Sequence, residues 1–419
     1  MTAGSSGIAR EVVPLARPIA VFAVLMTTAV VVRADPAPAA VAPFRLPGIG
    51  RPSPHLLLDR QRLEGLAEAV TSIRTSFFSA WKHLERRCEA GLAYPPRGYG
   101  GDDPAVFYKI CSREAGLARD LALGYRLSGR EAYGTRAALL LEDWARERAG
   151  KRLNSEKDFP SGGMKAARAT FPFLWAYDLL ATTRLLDEKE RRAAETWFGR
   201  LADFIRHDFQ AWVENDYFNR QDYQNHLAAH MTTLRAIGLV TDEENLVQYA
   251  LDSEENPRDL RELIAGCILM PGDTPHHREP RAWQMEAGEI YDRYRHHTGH
   301  LRGLQYCHLT LKLLALSAQM CEQHGLDLFE YTAPGGENLR LPFEFYADFY
   351  RLRDASLHHG LYSGESHRIG KAGDIPGMFE LGLRHYPDSR PLRALIRSID
   401  RAGQYGRLLG YPVFFARIE

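Results

Sequence analysis

The chain has 419 residues, and its 53 Lys plus Arg are balanced by 53 Asp plus Glu, so it carries no net field with which to recruit nucleic acid or a membrane surface. Its length allows two or three average domains or one large helical one. A polyanionic partner would have to be held by a local cationic cleft.

Arg10 and Arg17 precede an apolar run from Ile19 to Val32, followed by Arg33-Ala34-Asp35 and a Pro/Ala stretch to Pro43. The run of 14 residues suits the apolar region of an export signal and falls short of the roughly 20 needed to span a bilayer. Val32 and Ala34 supply the small residues of a cleavage site. This divides the chain into a signal peptide over 1–34, a Pro/Ala-rich linker over 35–52 and one domain over 53–419. The expected location is periplasmic or secreted, with no stable membrane insertion after cleavage. Cys88, Cys111, Cys267, Cys307 and Cys321 have neither metal-type spacing nor a small-domain disulfide pattern, and Cys307 falls in an apolar helical run, as a buried thiol would.

Apolar residues recur at three- and four-residue steps over 112–127, 131–148, 166–181 (tolerating Pro172), 187–208, 222–238, 243–254, 257–269, 299–324, 338–350 and 391–408. No sustained alternation of β-branched residues and no Asn-Gly hairpin turn is present. The chain is therefore all-α. Aromatic-bearing helices in hairpins, without a fixed-period repeat, favour an α/α toroid: an incomplete helical barrel with its cleft at one end. Loop chemistry interrupts the helices at 92–104, 151–163 and 271–281, and loops of that length are often functional.

Two helical stretches carry the chemistry. Residues 223–238 read YQNHLAAHMTTLRAIG, and 299–325 read GHLRGLQYCHLTLKLLALSAQMCEQHG. Asn225 and His226 open the first; in the second, Arg302 and Tyr306 are four apart and share one helix face. An amide, an imidazole, a guanidinium and a phenol can gather round a carboxylated sugar. Polymers of uronic acid are cut by β-elimination when the carboxylate charge is neutralised, the C5 proton removed and the oxygen leaving C4 protonated, roles open to these groups. His226 and His230 form an i, i+4 pair but lack a third ligand, so no metal or other cofactor is expected.

Several segments carry a family likeness: SPHLLLDRQRLEGL at 53–66, YRLSGREAYGTRAALLLEDWA at 125–145, AYDLL at 176–180, the Asn225-His226 pair, and LQYCHLTL followed by EQHGLDLFEY at 304–331. The chain resembles the alginate lyase superfamily, including polysaccharide lyase family five and related helical uronan lyases. The resemblance implies a toroidal lyase acting on an acidic polysaccharide. It implies carboxylate neutralisation by Asn225 and His226, with His226 also open to a role as base, and a catalytic Tyr306. Family five places its arginine seven residues before the tyrosine, where this chain has Gly299; Arg302, one turn before Tyr306, resembles the arrangement in other uronan lyases. Alginate, polymannuronate and a glucuronan-like polymer are all open as substrate. His230 as a groove-lining residue, Arg295 and His300 in a cationic subsite, Arg97 and Tyr99 on a lid loop, and Arg168 at a loop-to-helix entry complete the expected binding set. The rival readings are a glycoside hydrolase on a helical barrel, which needs two carboxylates, and a non-catalytic binding protein of the cell envelope.

Overall fold

A computed structural model describes residues 42–146, 153–215, 222–279, 284–299, 301–370 and 375–418, which belong to one compact unit, Val41–Glu419. The expected signal peptide over 1–34, linker residues 35–41 and His300 lie outside the described residues.

The helices are α1 (Arg60–Ala69), α2 (Ser76–Leu92), α3 (Pro104–Ser128), α4 (Glu131–Ala145), α5 (Gly162–Leu180), α6 (Glu188–Glu214), α7 (Asn225–Val240), α8 (Glu244–Leu251), α9 (Leu260–Cys267), α10 (Gly303–Gln323), α11 (Arg340–Leu352), α12 (Leu357–Gly360), α13 (Phe379–His385) and α14 (Arg390–Ser398). Local chemistry sets their ends. Asp103 caps α3 by accepting from the N–H groups of Ala105 and Val106, with Pro104 pre-set at the first helical position, and Gly129 ends the helix in the left-handed region at φ 69°. Asp187 and Glu190 form a reciprocal capping box at the start of α6.

The helices build an α/α toroid. Along the chain, α3, α5, α7 and α10 pack in succession as the inner wall, while α2, α4, α6 and α8 lie against them. Every residue of α7 is buried, and α5 is almost as completely enclosed, so neither keeps a broad solvated face. By contrast, α6 buries one stripe, including Trp197, Phe198, Leu201, Ile205 and Trp212. A chain segment before α1 is tied to the inner wall by the buried Asp178 of α5, which accepts from the N–H groups of His55 and Leu56 at 3.0 Å each.

Several boundaries differ from the periodicity. The α3 helix begins at Pro104 because Asp103 caps it, eight residues before the apolar pattern. The 391–408 stretch is helical only to Ser398; beyond it the chain turns through an antiparallel bridge between Gly406 and Gly410. A short ladder of β1 (Ile268–Leu269) and β2 (Glu289–Ile290) ends the 257–269 stretch as strand. All five cysteines are buried and unbridged.

Candidate active site

On α10 the first three turns present a stripe. Arg302 is the N-cap residue, and the Tyr306 N–H donates to its carbonyl at 3.1 Å, which stacks the two one turn apart. Gln305, Leu309 and Lys312 continue that face, and all five line a cavity of about 260 Å³. The other walls are Tyr108 in the first turns of α3, Arg168 of α5, and Arg407 and Leu408 of the segment after α14. Four cations and two phenols thus face a space lined by no carboxylate among the described residues. The N-terminus of α10 is held by the buried Glu365, which accepts from the N–H groups of Gly303 at 2.8 Å and Leu304 at 3.0 Å, an acid placed where the helix dipole favours it.

Behind Tyr306 stands Arg295, whose guanidinium carbon lies 4.3 Å from the phenol ring centre. Its Nε donates to Asp292 Oδ1 at 2.7 Å and its Nη2 to Gln224 Oε1 at 2.5 Å. Burial works against the Arg295 charge, and Asp292 beside it more than offsets this, holding the guanidinium above its ordinary value. Asp292 also receives the backbone N–H of Asn225 at 2.8 Å, its side-chain amide at 3.0 Å and the Thr310 hydroxyl at 2.5 Å. One buried carboxylate therefore joins α7, α10 and the turn before α10. It fixes the Asn225 amide with Oδ1 buried and without a partner, a polar atom left ready for a ligand.

His226 follows on α7, 7% exposed, its ring edge against Trp212. Its Nδ1 is 3.1 Å from the Pro160 carbonyl, which can only accept, so Nδ1 carries the proton and Nε2 is the free base. Burial, then the charges of Arg295, His230 and Arg168, push this imidazole well below its ordinary value. It is neutral at pH 7 and does not supply positive charge.

The structure brings Asn225, His226, Arg295, Arg302, Tyr306 and Arg168 into one neighbourhood. Arg168 lies 5.6 Å from the Tyr108 ring. It does not place the rest there. His230 is fully buried and 3.5 Å from Asp208 rather than lining the groove, because all of α7 is enclosed. The loop bearing Arg97 and Tyr99 is pinned by Glu114 of α3, which accepts from Tyr94 Oη at 3.1 Å and the Arg97 N–H at 2.9 Å; neither residue lines the cavity. Of the basic run 293–297, Arg293 is neutralised by Glu279 and Glu289, and His296 faces Glu365 at 2.7 Å, so Arg295 alone joins the site. In the 271–281 loop His276 is buried and stacked on Tyr294 at 3.9 Å.

Tyr108, Gln305, Lys312 and Arg407 enter the site without having stood out in the sequence. Gln305 and Lys312 lie on the stripe that Arg302 and Tyr306 define, so the helical period extends to them. Asp292 and Arg407 gave no local signal.

The model of the family described as alginate lyase matches residues 110–356, more than half of the chain. The chain belongs to the alginate lyase family. It is accordingly a polysaccharide lyase. An alginate lyase from Bacteroides ovatus shares its fold at a TM-score of 0.61 and 14% identity, over 86% of this chain and 99% of that one. Alginate lyase A1-III from Sphingomonas species A1 aligns at a TM-score of 0.54 and 15% identity, covering 85% and 95% respectively. A tyrosine-to-phenylalanine variant of A1-III complexed with tetrasaccharide aligns at 0.56 and 13%, covering 85% and 94%. No curated protein matches the sequence. In this family member Asn225, His226, Arg295, Arg302 and Tyr306 all fall within the matched residues, whereas Arg407 and α13–α14 lie beyond them.

Proposed function

We propose that this lyase cuts a uronic-acid polysaccharide, alginate, polymannuronate or a glucuronan-like polymer, by β-elimination at the cavity on α10. The observation that carries this reading is Tyr306 in a cavity lined by Arg168, Arg302, Lys312 and Arg407 and, among the described residues, by no acid. Such a lining attracts a polyanion, and it lacks the pair of carboxylates a glycoside hydrolase needs. The tetrasaccharide complex of A1-III supports a sugar chain as ligand.

In this mechanism the uronate carboxylate is held by Arg302 and Arg168, which offset the charge that builds on it as the C5–H bond breaks, while Asn225 Oδ1, which can only accept, takes a sugar hydroxyl. His226 Nε2, unprotonated because Nδ1 serves Pro160, takes the C5 proton. The C5–H electrons form the C4–C5 double bond, the C4–O bond breaks, and the Tyr306 hydroxyl protonates the departing oxygen. Arg295 holds positive charge over the ring as the phenolate forms. Solvent then returns the proton to Tyr306 and removes the one on His226. The N-terminal pattern supports an exported enzyme, and no described helix is long and apolar enough to cross a membrane.

The test is to incubate the protein with alginate, polymannuronate, polyguluronate, glucuronan and hyaluronan while following the ultraviolet absorbance of the unsaturated product. A rise with a polyuronate is expected. New reducing ends without absorbance would replace elimination by hydrolysis, and binding with neither signal would leave a binding protein.

A further inference from the structure

A second cavity, of about 280 Å³, shares no lining residue with the first and is walled by α13, α14 and the segment around Arg417. Arg384, Arg393, Arg397, Arg401 and Arg417 line it, with Glu380 as the one acid among the described residues. Two of these guanidiniums are neutralised. Glu380 takes Arg401 through two hydrogen bonds, at 2.6 and 3.0 Å, and Glu322 takes Arg384 at 3.2 Å. Arg393 donates to the Pro387 carbonyl and Arg417 to the Arg384 carbonyl, and neither these two nor Arg397 has a carboxylate partner among the described residues. Asp388, whose charge Arg393 also stabilises, is bonded by Arg340 at 2.8 Å.

The amphipathic α14 explains why these cations stay together. Leu392, Leu395 and Ile396 are buried, which turns Arg393 and Arg397, one turn apart, toward the cavity and its rim. Neighbouring groups register the concentrated charge. Burial and then Arg384 lower Arg62 to about 10, and burial followed by Arg384 and Arg417 lowers His385 to about 3. Three guanidiniums without a carboxylate of their own leave a local positive charge that an anion can occupy. The walls between the arginines are apolar, formed by Leu383, Pro387, Ile396 and Ala416. An inorganic anion has no use for such walls. A carboxylated sugar ring does, presenting C–H faces beside its carboxylate.

We infer that this cavity is a second, non-catalytic docking site for a uronate segment of the polysaccharide, with Arg393, Arg397 and Arg417 as its carboxylate ligands. The inference rests on the proposed substrate class. All five arginines lie beyond residues 110–356, so the site belongs to this chain rather than to the stretch the family model matches. A polymer long enough to engage both cavities gains avidity that a short oligosaccharide does not.

The test pairs the unaltered protein with Arg393→Gln/Arg397→Gln, two changes on the solvent side of α14, and follows unsaturated product from a long polyuronate and from a tetrasaccharide of the same sugar. KM for the polymer is expected to rise roughly tenfold in the double variant while tetrasaccharide kinetics stay the same. Calorimetry with the tetrasaccharide on the Tyr306→Phe protein should give two sites, and one after the double change. Unchanged polymer KM with a single site in both proteins would overturn the docking site and leave the lyase reading intact. Failure of every polyuronate to react with the unaltered protein would overturn the lyase reading instead. Inorganic phosphate that displaces the tetrasaccharide from the second site at equal concentration would show a generic anion site and overturn the sugar assignment.

Discussion

At the scale of single residues, the site divides its labour by protonation state. Tyr306 is the group placed in the cavity, so Tyr306→Phe should cut turnover by about 10² to 10⁴-fold with little change in polymer binding. Product absorbance and equilibrium binding measured together check this, and retention of most activity would remove Tyr306 from the mechanism. His226 behaves differently from a free histidine. Its imidazole is held well below the usual value by burial first, so its base form persists as pH falls past 6.5. The acid limb of kcat/KM should therefore lie below pH 6.5, and His226→Ala should abolish turnover; a limb centred at 6.5 would argue against His226 as the base. Asn225, His226 and Tyr306 were legible in the sequence because they sit at the starts of two periodic stretches. Asp292, which orients Asn225 and Arg295, was not, since its four donors converge only in the folded chain.

Between helices, the contacts that matter are close and buried. Asp208 of α6 and His230 of α7 face each other at 3.5 Å, and burial moves them to about 7 and about 3 respectively. From pH ~4 to 7 the folded state holds a proton on Asp208 that the unfolded chain has lost, so this group's contribution to stability falls as pH rises. For His230 the sign reverses: between pH ~3 and 6.5 only the unfolded chain is protonated, and stability rises with pH. The two slopes oppose each other in the wild type. Asp208→Asn leaves the histidine slope alone, so stability relative to wild type should climb by about 1.4 kcal/mol per pH unit between pH 4.5 and 6.5, as read from denaturant midpoints. Parallel curves for the two proteins would refute the raised titration of Asp208. Gly163 allows this approach, because a Cβ there would meet Asp208 Oδ2 at 2.6 Å; Gly163→Ala should cost about 1–3 kcal/mol by the same measurement. Helix existence was legible from period, yet the start of α10 was not. Glu365, sixty-odd positions later in the chain, supplies the acceptors that hold that end.

Across the whole molecule, the inner helices form the cavity only with help from a distant stretch. Arg119 of α3 is fully buried, bonds Asp120 at 2.6 Å and the Tyr405 hydroxyl at 2.9 Å, and donates to the Arg407 carbonyl. Arg87 reaches the same Asp120 at 2.9 Å. Removing the buried cation by Arg119→Ala takes the donors from Asp120 Oδ1, leaves Arg87 and Tyr405 on Oδ2 and frees the segment that carries Arg407, so a loss of about 2–3 kcal/mol and a raised KM are expected. Denaturant unfolding and steady-state kinetics check both, and a stable variant with unchanged KM would separate this segment from substrate binding. The toroid itself was readable from helix after helix with short connections. The closure was not, because the period over 391–408 continued past Ser398, where the chain in fact leaves the helix to wall the cavity.

That wall has a consequence for timing. A chain made from its N-terminus folds its early parts first, and the stretch bearing Arg407 and Leu408 emerges only after every helix of the ring has been synthesised. Until then the groove along α10 has one side open and lacks one of its four cations. The cavity is thus completed by one of the last stretches of the chain to be made.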